Sequence, residues 1–198
     1  MSEKFEQISL HQGFMKHNGG VMFRNISENE YEFKAVINEN HLNAAGITHG
    51  GYLAALIDAG ADSITLHVEA LTDLEKGINQ IKSHGCKVGV AVNPATDEQE
   101  ILPFLQSVDL ILVMSVVPGY GGQSFIPASI DKVKRVRSII EDANQDIELQ
   151  VDGGISTENS QALINAGATI LVAGSFLFSS NNQMSNSILS LRGNVNQD

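Results

Sequence analysis

From residue 62 onward, short β-rich runs alternate with helix-patterned ones at a steady interval, and that beat restricts the chain to a parallel sheet. Strands are expected at 63–67, 87–92, 109–117, 147–151 and 169–173. Helical patterns fall between them at 72–83, about 97–106, about 127–143 and 157–166, and one more is expected at 184–191. Parallel neighbours need a crossover connection, and such crossovers are right-handed almost without exception. The chain is therefore expected to be α/β, with about five βα units. The run 109–117 is apolar throughout, as expected for a strand buried on both faces. Gly167 stands where a helix C-terminal glycine belongs. Doubly wound sheets and eight-stranded barrels both give this beat, so periodicity leaves that choice open.

Residues 1–60 follow another pattern. Alternating stretches at 20–24 and 30–37 are expected to pair as strands through a turn at 25–29. A loop at 41–49 and a small-residue helix at 50–59 follow, and no βα repeat is visible. No Pro/Ser-rich spacer separates the two patterns. The expected division is 1–59, 60–182 and a C-terminal helix and tail over 183–198.

The formal charge of −11 argues against a nucleic-acid partner, which needs a basic face. One basic cluster, Lys132, Lys134, Arg135 and Arg137, has helical spacing and is expected to be a solvated helix face. Cys86 is the single cysteine, so no internal disulfide forms, and its place between a helix and a strand suits a structural thiol. The polar, acidic N-terminus does not resemble a signal peptide, and no apolar run reaches the ~18 residues of a membrane span. A soluble, cytoplasmic protein is expected.

The chemistry concentrates in residues 146–155. There an alternating run ends in Asp152 and two glycines follow at once, Gly153 and Gly154. At the C-terminal end of a barrel strand, this aims a carboxylate into the site and lets backbone N–H groups close on an anion. Further glycines follow the neighbouring strands: Gly119, Gly121 and Gly122 after the third, and Gly174 with Ser175 after the fifth. Barrel enzymes bind phosphate in such loops. Tight turns alone would also need glycine, and an Asp before Gly also serves as a turn residue or helix cap.

Four pieces in order carry a resemblance to ribulose-phosphate 3-epimerases. They are residues 59–70 (AGADSITLHVEA), 88–96 (VGVAVNPAT), 112–125 (LVMSVVPGYGGQSF), and the span from the VDGGI motif at 151–155 to the VAGS motif at 172–175. Their order resembles strands four to eight of that family's (β/α)8 barrel, covering about residues 59–180. The resemblance implies a partial TIM barrel. It also implies epimerisation of D-ribulose 5-phosphate and D-xylulose 5-phosphate at C3, in the pentose phosphate pathway. It assigns Asp152 as one of two acid/base groups and as a ligand of a divalent metal (Zn, Fe, Mn or Co). His67 resembles a histidine at the rim of the site, and Met114 a methionine lining it; either type is also common as structure or core. The family's second acid/base aspartate, its metal-binding histidines and a strand-one serine lie on three strands whose motifs have no counterpart here. The resemblance therefore implies a phosphosugar site with impaired catalysis, or one that only binds.

A second resemblance lies upstream. In residues 43–58 (NAAGITHGGYLAALID), His49, Gly50, Gly51 and Asp58 match the His-Gly-Gly turn and following carboxylate of hotdog-fold acyl-CoA thioesterases. Asn43 resembles a further position lining that site. In that family a glycine amide at the helix start polarises the thioester carbonyl. This implies a truncated hotdog-like hairpin and helix over about 10–59, with the join inside residues 59–62. Five parallel strands without closure also leave two sheet edges, which suggests homo-oligomer contacts.

Overall fold

The computed structural model describes residues 6–8, 21–27, 30–34 and 60–193, apart from 71–72, 119–121 and 180–183. Three N-terminal strands, β1 (Glu6–Ile8), β2 (Val21–Ser27) and β3 (Glu30–Lys34), form an antiparallel sheet in the order β1-β2-β3. The expected pairing of two strands is present, but β2 runs further than expected. It takes in residues 25–27 of the segment read as a turn, with an irregularity of register between Asn25 and Ser27. The hotdog-like helix at 50–59 lies outside the described residues.

The second sheet holds β4 (Ser63–His67), β5 (Lys87–Val92), β6 (Leu110–Met114), β7 (Glu148–Asp152) and β8 (Ile170–Val172). All four pairings are parallel, and the spatial order β4-β5-β6-β7-β8 is the order in sequence. This settles what periodicity left open. A doubly wound sheet reverses direction at a switch point, whereas successive right-handed crossovers that always step the same way generate a barrel arc.

Helices follow the strands as their residues dictate. Helix α1 (Leu74–Ser83) starts two residues later than expected, because the Asp73 side chain accepts from the Lys76 N–H at 3.0 Å and fixes the first turn. Its buried positions Leu74, Gly77, Ile78 and Ile81 share one stripe. The helix expected near 97–106 is instead a 3₁₀ segment, Glu98–Phe104, with Pro103 inside it. Proline has no N–H to donate and crowds the carbonyl four residues back, which disfavours the α form. Helix α2 (Ser129–Asp142) packs Val133, Val136 and Ile140 inward. Helix α3 (Ser160–Asn165) follows β7, and α4 (Gly174–Ser179) and α5 (Met184–Arg192) close the described chain.

The sheet has two unlike faces. Ile64, Leu66, Val88, Val90, Val92, Ile111, Val113, Leu149 and Val151 are all buried and join the helix side chains in one apolar cluster. On the opposite face Ala91 and Met114 are buried, Leu112 and Gln150 half-buried, and Thr65 and Glu148 exposed. Strand β6 therefore departs from the expectation of burial on both faces: its Leu110 and Leu112 are only half-covered. A closed barrel fills its interior with layers of side chains, and this arc covers that face only in part.

Candidate functional site

The C-terminal ends of the parallel strands gather the chemistry-bearing residues. Leu149 and Val151 point into the helix-side core, so alternation turns Asp152, the last residue of β7, to the opposite face. Register sets Met114 and Val172 on either side of it. His67 ends β4 on the same face, in the row His67–Ala91–Leu112–Gln150, one pleat below the row of Asp152. Three strand spacings separate the two residues, about 14 Å along the sheet. At that separation the two side chains do not meet.

The loop after β7 is held by backbone. Gly153 has φ +127°, and a Cβ there would lie 2.5 Å and 2.8 Å from the Val116 methyl carbons. Gly154 has φ +63°, and a Cβ there would meet the Phe125 backbone nitrogen at 2.5 Å. Both positions thus need glycine twice over, for the backbone angle and for the approach of the 116–125 loop. Ser115, fully buried, donates from Oγ to the Gly153 carbonyl at 2.6 Å, and its N–H donates to the Asp152 carbonyl at 2.8 Å. Asn159 Nδ2 donates to the Gly154 carbonyl at 3.0 Å, while its Oδ1 accepts from the Ser156 N–H. Asp152 is thereby carried on a rigid turn.

The loop after β5 is held by charge. Lys132 lies on α2 yet is only 4% exposed, and its ammonium donates to the carbonyls of Asn93 (2.7 Å), Pro94 (3.4 Å) and Thr96. Burial lowers its pKa, with Glu98 and Glu69 acting in the other direction. Glu69, just past β4, accepts from the Asn93 N–H at 2.9 Å and from Thr96 Oγ1, and meets His67 Nδ1 at 3.2 Å. Burial pushes the Glu69 pKa up, but the donors Thr96, Asn93 and His67 outweigh it and the net shift is down. Arg135 pairs with Glu98 at the surface and lowers the Glu98 pKa.

The basic cluster is thus not the solvated face its spacing suggested. Lys132 is buried, and Arg137 donates from Nε and Nη2 to the Gly167 carbonyl at 3.0 and 2.9 Å; Lys134 and Arg135 are exposed. Helical spacing could not reveal this, because a lysine that caps carbonyls across the fold looks like any surface lysine in one dimension. Ser115 and Glu69 were missed for the same reason. A signal for Glu69 existed in its position two residues after His67 at a strand end. Cys86 is half-buried with its thiol on the Ala61 carbonyl at 3.1 Å, in keeping with a structural role.

Of the other expected site residues, Gly122 borders an open cleft of about 430 Å³ with Val116, Val117 and Gln123. Gly174 opens α4 one residue after β8, with Ser175 in its first turn. Gly119 and Gly121 lie outside the described residues, as do Asn43, His49, Gly50, Gly51 and Asp58. Among the described residues no three His, Cys, Asp or Glu side chains come together as a metal site. Asp152 offers one carboxylate where a catalytic divalent ion takes several protein ligands, so these residues alone do not make a complete site. No helix among them is long and apolar enough to cross a membrane.

The chain is 46% identical over 120 residues to the ribulose-phosphate 3-epimerase of Serratia marcescens, covering 61% of this chain and 57% of that protein. It is 41% identical over 128 residues to that of Bacillus subtilis strain 168, covering 64% and 59%. The chain thus spans little more than half the length of these relatives. Among solved structures, a 3-hexulose-6-phosphate synthase superposes with a TM-score of 0.55 at 17% identity, covering 77% of this chain and 69% of that one. At that identity the likeness shows fold alone, a TIM-barrel-like α/β arc. A model of the ribulose-phosphate 3 epimerase family matches residues 36–178, which take in all five parallel strands, Asp152 and both glycines after it. On that match, the chain belongs to the ribulose-phosphate 3-epimerase family.

Proposed function

We propose that the strand ends of this arc bind a ketopentose phosphate and that Asp152 moves a proton at C3 from one face only. The observation that supports this most is the seating of Asp152 on the rigid turn made by Gly153, Gly154 and Ser115. In D-ribulose 5-phosphate the C3 proton is acidified by the C2 carbonyl. A carboxylate at Asp152 takes that proton, the electron pair moves toward the carbonyl oxygen, and an enediolate results. Returning the proton from the same carboxylate regenerates the starting sugar, with solvent hydrogen at C3. Inversion requires a second acid on the opposite face, and the motif that carries it in the family has no counterpart in this sequence. The amides around Gly153, Gly154 and Gly174 are the expected phosphate contacts.

The test is NMR of D-ribulose 5-phosphate incubated with the chain in D₂O. Deuterium is expected to enter C3 faster than D-xylulose 5-phosphate forms, and Asp152→Asn is expected to slow this by about 10²–10⁴-fold. Epimerisation as fast as exchange would overturn the one-face reading. No exchange, with saturable binding retained, would leave a phosphosugar-binding protein without proton transfer.

A further inference from the structure

Between the strand ends and the buried lysine runs a continuous chain of hydrogen bonds that the proton-transfer reading does not use. Lys132 Nζ holds the Asn93 carbonyl, the Asn93 N–H holds Glu69 Oε1, and Glu69 Oε2 meets His67 Nδ1. Thr96 closes the loop, giving its hydroxyl proton to Glu69 Oε1 while its carbonyl accepts from Lys132. The two carboxylate oxygens thus have separate duties. Oε1 is committed to the loop after β5 and Oε2 to the imidazole.

An ionised carboxylate only accepts, so the ring nitrogen facing it must carry hydrogen. Glu69 is held ionised by its donors, its pKa lying below the usual carboxylate value. In the neutral ring, Nε2 is then left with its lone pair. His67 sits on the Asp152 face of the sheet and is about a third exposed, so that lone pair is reachable at the rim. We propose that Glu69 is a positioning residue that fixes His67 as the Nδ1–H tautomer and presents Nε2 as an acceptor for a hydroxyl of the bound sugar. The hydroxyl half of this rests on the phosphosugar reading above; the tautomer half does not.

The geometry makes one conservative variant unusually informative. In Glu69→Gln the amide oxygen takes the place of Oε1, where two donors already point. The amide NH₂ then faces Nδ1, and a donor there forces Nδ1 to accept. The ring proton moves to Nε2, and the acceptor offered to the site becomes a donor.

The experiment is long-range ¹H–¹⁵N correlation of the histidine rings at a pH where His67 is neutral, on the full chain and on Glu69→Gln. The wild-type chain is expected to show the Nδ1–H pattern at His67 and the variant the Nε2–H pattern. The variant's Kd for D-ribulose 5-phosphate is expected to rise about tenfold. An Nε2–H pattern in the wild-type chain overturns the proposal without any variant. So does an unchanged tautomer in Glu69→Gln, and a reversed tautomer with unchanged Kd overturns the acceptor role. If the sugar phosphate shifts no amide near Gly153 and Gly154 in the wild-type chain, the proposed function fails, while the tautomer result still decides the role of Glu69.

Discussion

At the C-terminal end of β7 the chain is fixed by backbone approach, and at the end of β5 by charged side chains reaching from elsewhere. The first end uses Gly153 and Gly154, whose missing Cβ atoms let the 116–125 loop lie against them, with Ser115 and Asn159 tying down the carbonyls. The second uses Lys132 and Glu69, which hold three carbonyls and an N–H of the 93–96 loop. A loop locked by sterics does not change with pH, whereas one locked by ionised groups does. The same edge of one sheet thus carries a fixed seat for Asp152 and a titratable seat for His67.

The contrast is sharpest in substitutions. Gly153→Ala places a methyl against Val116 at a positive φ, and we expect a loss of about 2–4 kcal/mol from backbone strain plus overpacking. Chemical denaturation would measure this, and a loss near zero would mean the two loops do not pack as described. Lys132→Met keeps the apolar stem but leaves the Asn93 and Thr96 carbonyls without their donor. The expected cost is about 2 kcal/mol, with amide exchange rising in the 93–96 loop more than around Gly154. Equal exchange in both loops would break the distinction between the two ends. Ser115→Ala removes one buried hydroxyl from the Gly153 carbonyl, for about 1 kcal/mol.

The pH response gives the finest test. Glu69 and Glu98 both have pKa values below the ordinary glutamate value of 4.5, so the folded state binds their protons less readily than the unfolded state does. Their contribution to stability is present above pH 4.5 and is lost as pH falls through the lowered values. Amide shifts in the 93–96 loop should therefore move in that acid window, and Glu69→Gln should reduce the change. A loop whose acid response is untouched by the variant would show that Glu69 does not hold it.

How much could be read in advance differs at the two ends for a physical reason. Asp152, Gly153 and Gly154 are neighbours in sequence, and a carboxylate followed by two permissive backbones states its geometry locally. The five strands were equally legible, because burial against helices writes apolar runs at a fixed interval. The 3₁₀ segment Glu98–Phe104 could have been anticipated from Pro103. Lys132, Glu69 and Asn93 were not legible, since 39 residues separate Lys132 from the carbonyl it holds, and Glu69 gains its role only when β4 and β5 lie side by side.

Sequence alone determined the parallel α/β beat, the acidic residue at a strand end and the glycine loops, because propensity, patterning and backbone permissiveness act within a few residues. Tertiary structure decided that the strands follow one another in a single arc rather than reversing about a switch point. It also decided that one sheet face is left half-covered and that a lysine with surface spacing is buried under a loop. Those outcomes depend on which elements become neighbours, and contact between distant residues leaves no local mark on the chain.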